Sequence, residues 1–212
     1  MRIMKITMAV VLLMLIGSAT LKAQDRNDIF DPKVSVTWLG IDFSEAKFIG
    51  DRERFGSESD VRHLIDAWND LVIKEADKYN IAVAIDRKTL TNEINVTKEH
   101  NTELDVLAAF SDDKKDYVHL NKEDVLEIIA SYDFKGLTGI GLMFNVESFS
   151  KLDVEGSAWI TFINLGTKEV LLTERLTAPP GGAGMRNYWA ASILKMIEAI
   201  KKKEFDAWQK KK

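Results

Sequence analysis

Three runs follow one another between Gly139 and Thr177, and they constrain the fold more than any other feature of the chain. "GIGLMFNVESFSK" (139–151), "GSAWITFIN" (156–164) and "KEVLLTERLT" (168–177) are rich in β-branched and aromatic residues. Such runs read as strands, because side chains branched at Cβ pack well on a pleated surface. The links between them are too short to hold a crossover, so an antiparallel meander is expected. Within it, "NLGTK" is a turn in which Gly166 is expected to supply positive φ.

Elsewhere the period is mostly helical. "VSVTWLGIDFS" (34–44) is a first strand, and after it Val61, Leu64, Ile65, Trp68, Leu71, Val72 and Tyr79 recur at helical spacing. Ser57 or Ser59 is placed to cap that helix, since a short side-chain oxygen accepts a free amide there. "IAVAI" (81–85) is expected to be a short buried strand. Leu90 and Ile94 suit a short helix, and 101–110 is either another helix or an irregular excursion. Asn121 caps a clear helix, "KEDVLEIIASY", and 184–203 closes the chain with Met185, Trp189, Ile193, Met196, Ile197 and Ile200 on one stripe. The expected fold class is α/β (α+β): one layered domain, its mixed sheet of about five strands ending in the meander and covered by helices.

The first residues set an address. Arg2 and Lys5 precede the apolar run "MAVVLLMLIGSA", and Ala23 is a small residue suited to cleavage. This is the pattern of a secretory signal peptide over residues 1–23, with 24–212 as a single globular domain and export to the periplasm or beyond. The run is shorter than the roughly 20 residues of a spanning helix, so no transmembrane segment is expected after cleavage. The chain has no cysteine, so neither a lipid-attachment cysteine nor a disulfide is possible and packing alone must hold the fold. Removing Arg2, Lys5 and Lys22 takes the formal charge from −4 to −7. An acidic chain of this kind has no electrostatic affinity for nucleic acid.

The order of elements, with "VTWLGIDFS" first and "WITFINLGTKEVLLTE" late, resembles bacterial envelope domains. They are the Tol-system amino-terminal domain, the curli secretion lipoprotein and the activators of penicillin-binding proteins. Phe162, Asn164, Thr167 and Glu169–Leu171 fall near their closing hairpin pattern, with the turn glycine displaced to Gly166. "GGAGMRNYWA" is also similar to the tail of uncharacterised exported families of Gram-negative bacteria. These resemblances imply an α/β envelope domain and supply no catalytic residue.

No chemical motif emerges. His63, His100 and His119 show no i, i+3 or i, i+4 pairing, and without cysteine a structural zinc site is excluded; no metal or cofactor is expected. A Gly-x-Ser-x-Gly elbow is missing, and Asp42, at a strand end, is expected to serve a turn or cap. The candidate ligand-binding residues are Gly181, Gly182, Gly184, Arg186 and Asn187, in a glycine-rich bend before a helix. Free amides and Arg186 suit an anion there, whereas the plainer reading is a tight strand-to-helix passage. The lysines of 201–203 and 210–212, with Phe205 and Trp208, suit either an anionic membrane or a solvated helix end. The function expected is non-enzymatic binding of a protein or other envelope component. The alternative is an enzyme or sensor acting on an acidic small ligand or glycan at 179–187.

Overall fold

A computed structural model describes residues 24–211; the signal-like segment 1–23 lies outside them. The strands are β1 (Val36–Asp42), β2 (Lys47–Ile49), β3 (Thr91–Asn92), β4 (Phe110–Ser111), β5 (Ile140–Ser150), β6 (Glu155–Asn164) and β7 (Glu169–Ala178). The helices are α1 (Glu58–Lys74), α2 (Ile81–Ala84), α3 (Asn95–His100), α4 (Val106–Ala109), α5 (Lys122–Ser131), α6 (Met185–Ala199) and α7 (Phe205–Lys210). The mixed helices and strands place the chain in the α/β class.

β5 is the spine of a mixed sheet. β1 pairs in parallel with its first half and β2 with its second half, so the two form one row interrupted at 43–46. β3 and β4 extend that row in parallel on its outer side. On the other edge of β5, β6 pairs antiparallel, and β7 pairs antiparallel with β6. Among the described residues the sheet has seven strands, more than the five expected, because two-residue pairings such as β3 and β4 leave no periodic signal.

Period-2 alternation divides the sheet between two cores. Leu142 and Phe144 face one side with Trp38, Phe162, Trp68 of α1 and Trp189 of α6. Met143 faces the other, with Leu39, Trp159, Ile163 and Val125, Ile128 and Ile129 of α5. Both α1 and α5 begin with reciprocal capping boxes, Ser57 with Asp60 and Asn121 with Asp124, which fix their first turns.

Two expectations need correction. Residues 81–84 form helix α2, with Ile85 as its C-cap, and not a strand: Asn80 caps its start, accepting from the Val83 amide, and the apolar run is too short for periodicity to tell the two apart. The aromatic residues of the tail are not free for a membrane. Phe205 and Trp208 are buried, Phe205 packs 5.1 Å from Phe30, and Arg26 donates to the Trp208 carbonyl.

The outer edge of β1 beyond β3 is completed by side chains. Asn69 (α1) accepts from the Ile41 amide at 2.7 Å and donates to the Ile41 carbonyl at 2.9 Å. Asn101 accepts from the Phe43 amide at 2.7 Å and donates to the same Ile41 carbonyl at 3.0 Å. Two buried amides thus take the place of a strand, satisfying groups that burial would otherwise leave unpaired. Gly40, at φ +110, is required beside them, since a Cβ there would lie 2.6 Å from Asn69 Oδ1.

Candidate functional site

Where the chain leaves the sheet between β1 and β2, it opens a cleft of about 610 Å³. Ser44 and Glu45 form one wall, and Asp124, Glu127, Ile128 and Ser131 of α5 form the other. His100 and Glu103 close one end and His119 the opposite one. The cleft lies at the carboxyl end of a parallel strand, the usual position for ligands in α/β sheets.

A buried polar row joins it through Ser44, which lines the cleft. Asp42 accepts from the Tyr132 hydroxyl at 2.9 Å, from Asn145 Nδ2 at 2.9 Å and from the Ser44 amide at 3.1 Å. The chain of contacts continues from Asn145 Oδ1 to Thr161 and on to Thr173, so it crosses β1, β5, β6 and β7. Burial, and then the Asp42 carboxylate, push the Tyr132 hydroxyl well above its ordinary range. Beside this row lies Glu147, fully buried, which accepts from the His119 and Leu120 amides (each 3.0 Å), Ser157 Oγ (2.8 Å) and Arg175 Nε (2.5 Å). Glu147 therefore ties the strap that carries His119 to the sheet.

The reactive side chains of the cleft are held by such contacts. The His119 ring nitrogens lie 2.8 and 2.9 Å from the Asp116 and Glu45 carbonyl oxygens. His100 packs on Tyr132 with ring centroids 4.1 Å apart. Ser131 Oγ, His100 and Glu103 line up in the order of a hydrolytic triad, but each link is 3.5 Å long. The serine proton is directed to the Ile128 carbonyl at 2.7 Å. Ser131 also ends α5, where free carbonyls rather than amides face outward, so no backbone donors stand ready for an oxyanion. By contrast, Glu45, Asp124 and Glu127 have no cationic partner among the described residues. The cleft offers carboxylates without ion-pair partners, and Ser131 is not poised as a nucleophile.

The residues predicted to bind a ligand lie elsewhere and are split. Gly181, Gly182 and Asn187 share a shallow depression of about 350 Å³ with Lys78 and Lys195. Gly184 faces a separate cleft, and Arg186 lines neither. The bend itself is a tight passage: Gly182 (φ +87) and Gly184 (φ +77) adopt left-handed backbone, and Gly181 N donates to the Tyr188 carbonyl at 3.0 Å. Lys195 clips the Pro179 and Pro180 carbonyls at 2.8 and 3.3 Å. Trp189 is buried and stacks on Phe149 at 4.5 Å. The Arg186 carbonyl accepts from Trp68 Nε1 at 2.8 Å, while its side chain is exposed and has no ion pair among the described residues.

No family model, curated protein or solved structure matches the chain. Among the described residues, no helix is long and apolar enough to cross a membrane, and no cluster of His, Cys, Asp or Glu is placed to hold a metal. His63 is exposed on α1, away from the other two histidines' cleft. The cleft residues were not singled out together in the sequence. They come from four separated segments, and buried acids such as Asp42 and Glu147 carry no periodic signature.

Proposed function

We propose that the chain is an exported, non-enzymatic binding domain of the bacterial cell envelope, and that a basic segment of a partner protein seats in the cleft between 44–45 and α5. The observation that carries this reading is the set of carboxylates without a cationic partner among the described residues, Glu45, Asp124 and Glu127, that line one cleft of about 610 Å³. Carboxylates that line one cleft without a cation favour a cationic side chain entering it. The signal-like leader and the resemblance to envelope domains supply the address.

The test compares wild type with a Glu45→Lys/Glu127→Lys variant as bait in envelope extracts, alongside a broad hydrolase panel. The reading expects a defined protein retained by wild type, released by salt and lost with the variant. Turnover of any panel substrate, or equal retention by both baits, contradicts it.

A further inference from the structure

On the side of the sheet remote from α5, a second cleft of about 520 Å³ lies among three elements: the turn from Arg52 to Arg54, the β5–β6 turn at 151–154 and the first residues of α6. Its charge is opposite to that of the acidic cleft. Lys151 donates to the Arg54 carbonyl, which draws the ammonium inward, and the same ammonium sits 4.3 Å from the centre of the Phe55 ring. The Arg54 guanidinium has no hydrogen bond or ion pair among the described residues. Burial, then the Arg54 charge, hold Lys151 below its ordinary lysine value, and Asp51 opposes them as the weakest of the three influences. Two cationic side chains therefore line one cleft without a carboxylate bound to either among the described residues.

The remaining wall is apolar. Val154, Met185 and Tyr188 complete the cleft, and Val154 is 53% exposed at its rim. Val154 also has φ +56, a conformation in which a β-branched side chain is a true outlier. Glycine or asparagine would adopt that turn without strain, yet an exposed valine stands there. Its side chain extends the apolar wall beyond the two cations.

We infer that this cleft binds an anionic group carried on an apolar stem, a phosphate or carboxylate headgroup seated on Lys151 and Arg54 with its stem along Val154, Met185 and Tyr188. The inference is independent of the acidic cleft. It also relocates the anion expected at 179–187, because of Gly181, Gly182, Gly184, Arg186 and Asn187 only Gly184 borders the cleft.

Octyl phosphate below its micelle-forming concentration, inorganic phosphate and octanol are titrated calorimetrically into the purified protein. Octyl phosphate is expected to bind one-to-one, and each of the other two at least about tenfold more weakly. Arg54→Gln, whose side chain has no partner to lose, should weaken octyl phosphate by about tenfold or more, the loss of one charge-assisted hydrogen bond. Lys151→Gln should do the same. Val154→Asn should raise the unfolding temperature yet weaken octyl phosphate and leave inorganic phosphate unchanged. Sedimentation with phosphatidylglycerol vesicles then separates the sources: co-sedimentation lost in Arg54→Gln assigns a lipid headgroup, and binding of octyl phosphate alone assigns a soluble amphiphile. Equal binding of octanol or of inorganic phosphate overturns the inference. So does octyl phosphate binding that neither Arg54→Gln nor Lys151→Gln alters.

Discussion

Tyr132 donates its hydroxyl to Asp42 across 2.9 Å, and both side chains are about 1% exposed beneath the acidic cleft. Tyr132→Phe removes this donor but leaves Asp42 the Asn145 and Ser44 contacts. It is expected to cost about 1–3 kcal/mol in urea unfolding, with an unchanged m-value. The alkaline limb should change too. The folded state holds Tyr132 neutral above its ordinary range, so its contribution is complete below about pH 10 and is lost as pH rises towards the folded value. Tyr132→Phe should flatten that limb.

Glu147 makes a heavier demand. It is buried against Arg175 Nε at 2.5 Å, and removing the arginine leaves a fully buried carboxylate without its cation. Arg175→Met is expected to destabilise by about 3–5 kcal/mol. Glu147→Gln should additionally loosen 119–120, whose amides both bond its Oε1. Faster amide exchange at His119 and Leu120 than in wild type would show this; unchanged protection there would count against the strap assignment.

Local rules made much of the scaffold legible. Ser57 and Asn121 cap where short polar residues before apolar stripes should, and Trp189 and Ile193 are buried as the period of α6 requires. The α2 segment was misread because a four-residue apolar run satisfies strand and helix alike. The cleft was not legible for a different reason. Asn69, Asn101 and Glu147 matter through partners far off in sequence, and a polar residue destined for burial looks like any surface residue.

The glycine bend yields a graded series. Gly182→Ala and Gly184→Ala place a Cβ in left-handed backbone and should each cost about 1–2 kcal/mol. Gly181→Ala should be mild, since its φ is ordinary and the nearest atom to an added Cβ lies 3.7 Å away. Arg186→Ala should stay within about 0.5 kcal/mol, because only its carbonyl is engaged. Thermal unfolding of the four variants checks the order, and a severe loss in Arg186→Ala would contradict it.

Acid stability should depend on Lys98. Its ammonium, and then that of Lys74, holds Asp70 below the ordinary value of 3.8. A depressed carboxylate stabilises the fold above its unfolded value and loses that contribution as pH falls through the folded one. Lys98→Gln should therefore flatten the dependence of unfolding free energy on pH below about pH 4, with a modest effect near neutrality because the pair is partly exposed.

The central claim, an acidic cleft that binds a basic segment without chemistry, is tested most directly by titrating a lysine-rich peptide into wild type and into Glu45→Gln/Glu127→Gln. Neither carboxylate has an ion-pair partner among the described residues, so the variant should keep its fold. The account predicts saturable, salt-sensitive binding at one site, weakened about tenfold or more in the variant, with amide shifts confined to 44–45, 100–103 and α5. Equal affinity in both proteins, or shifts scattered outside the cleft, would contradict it.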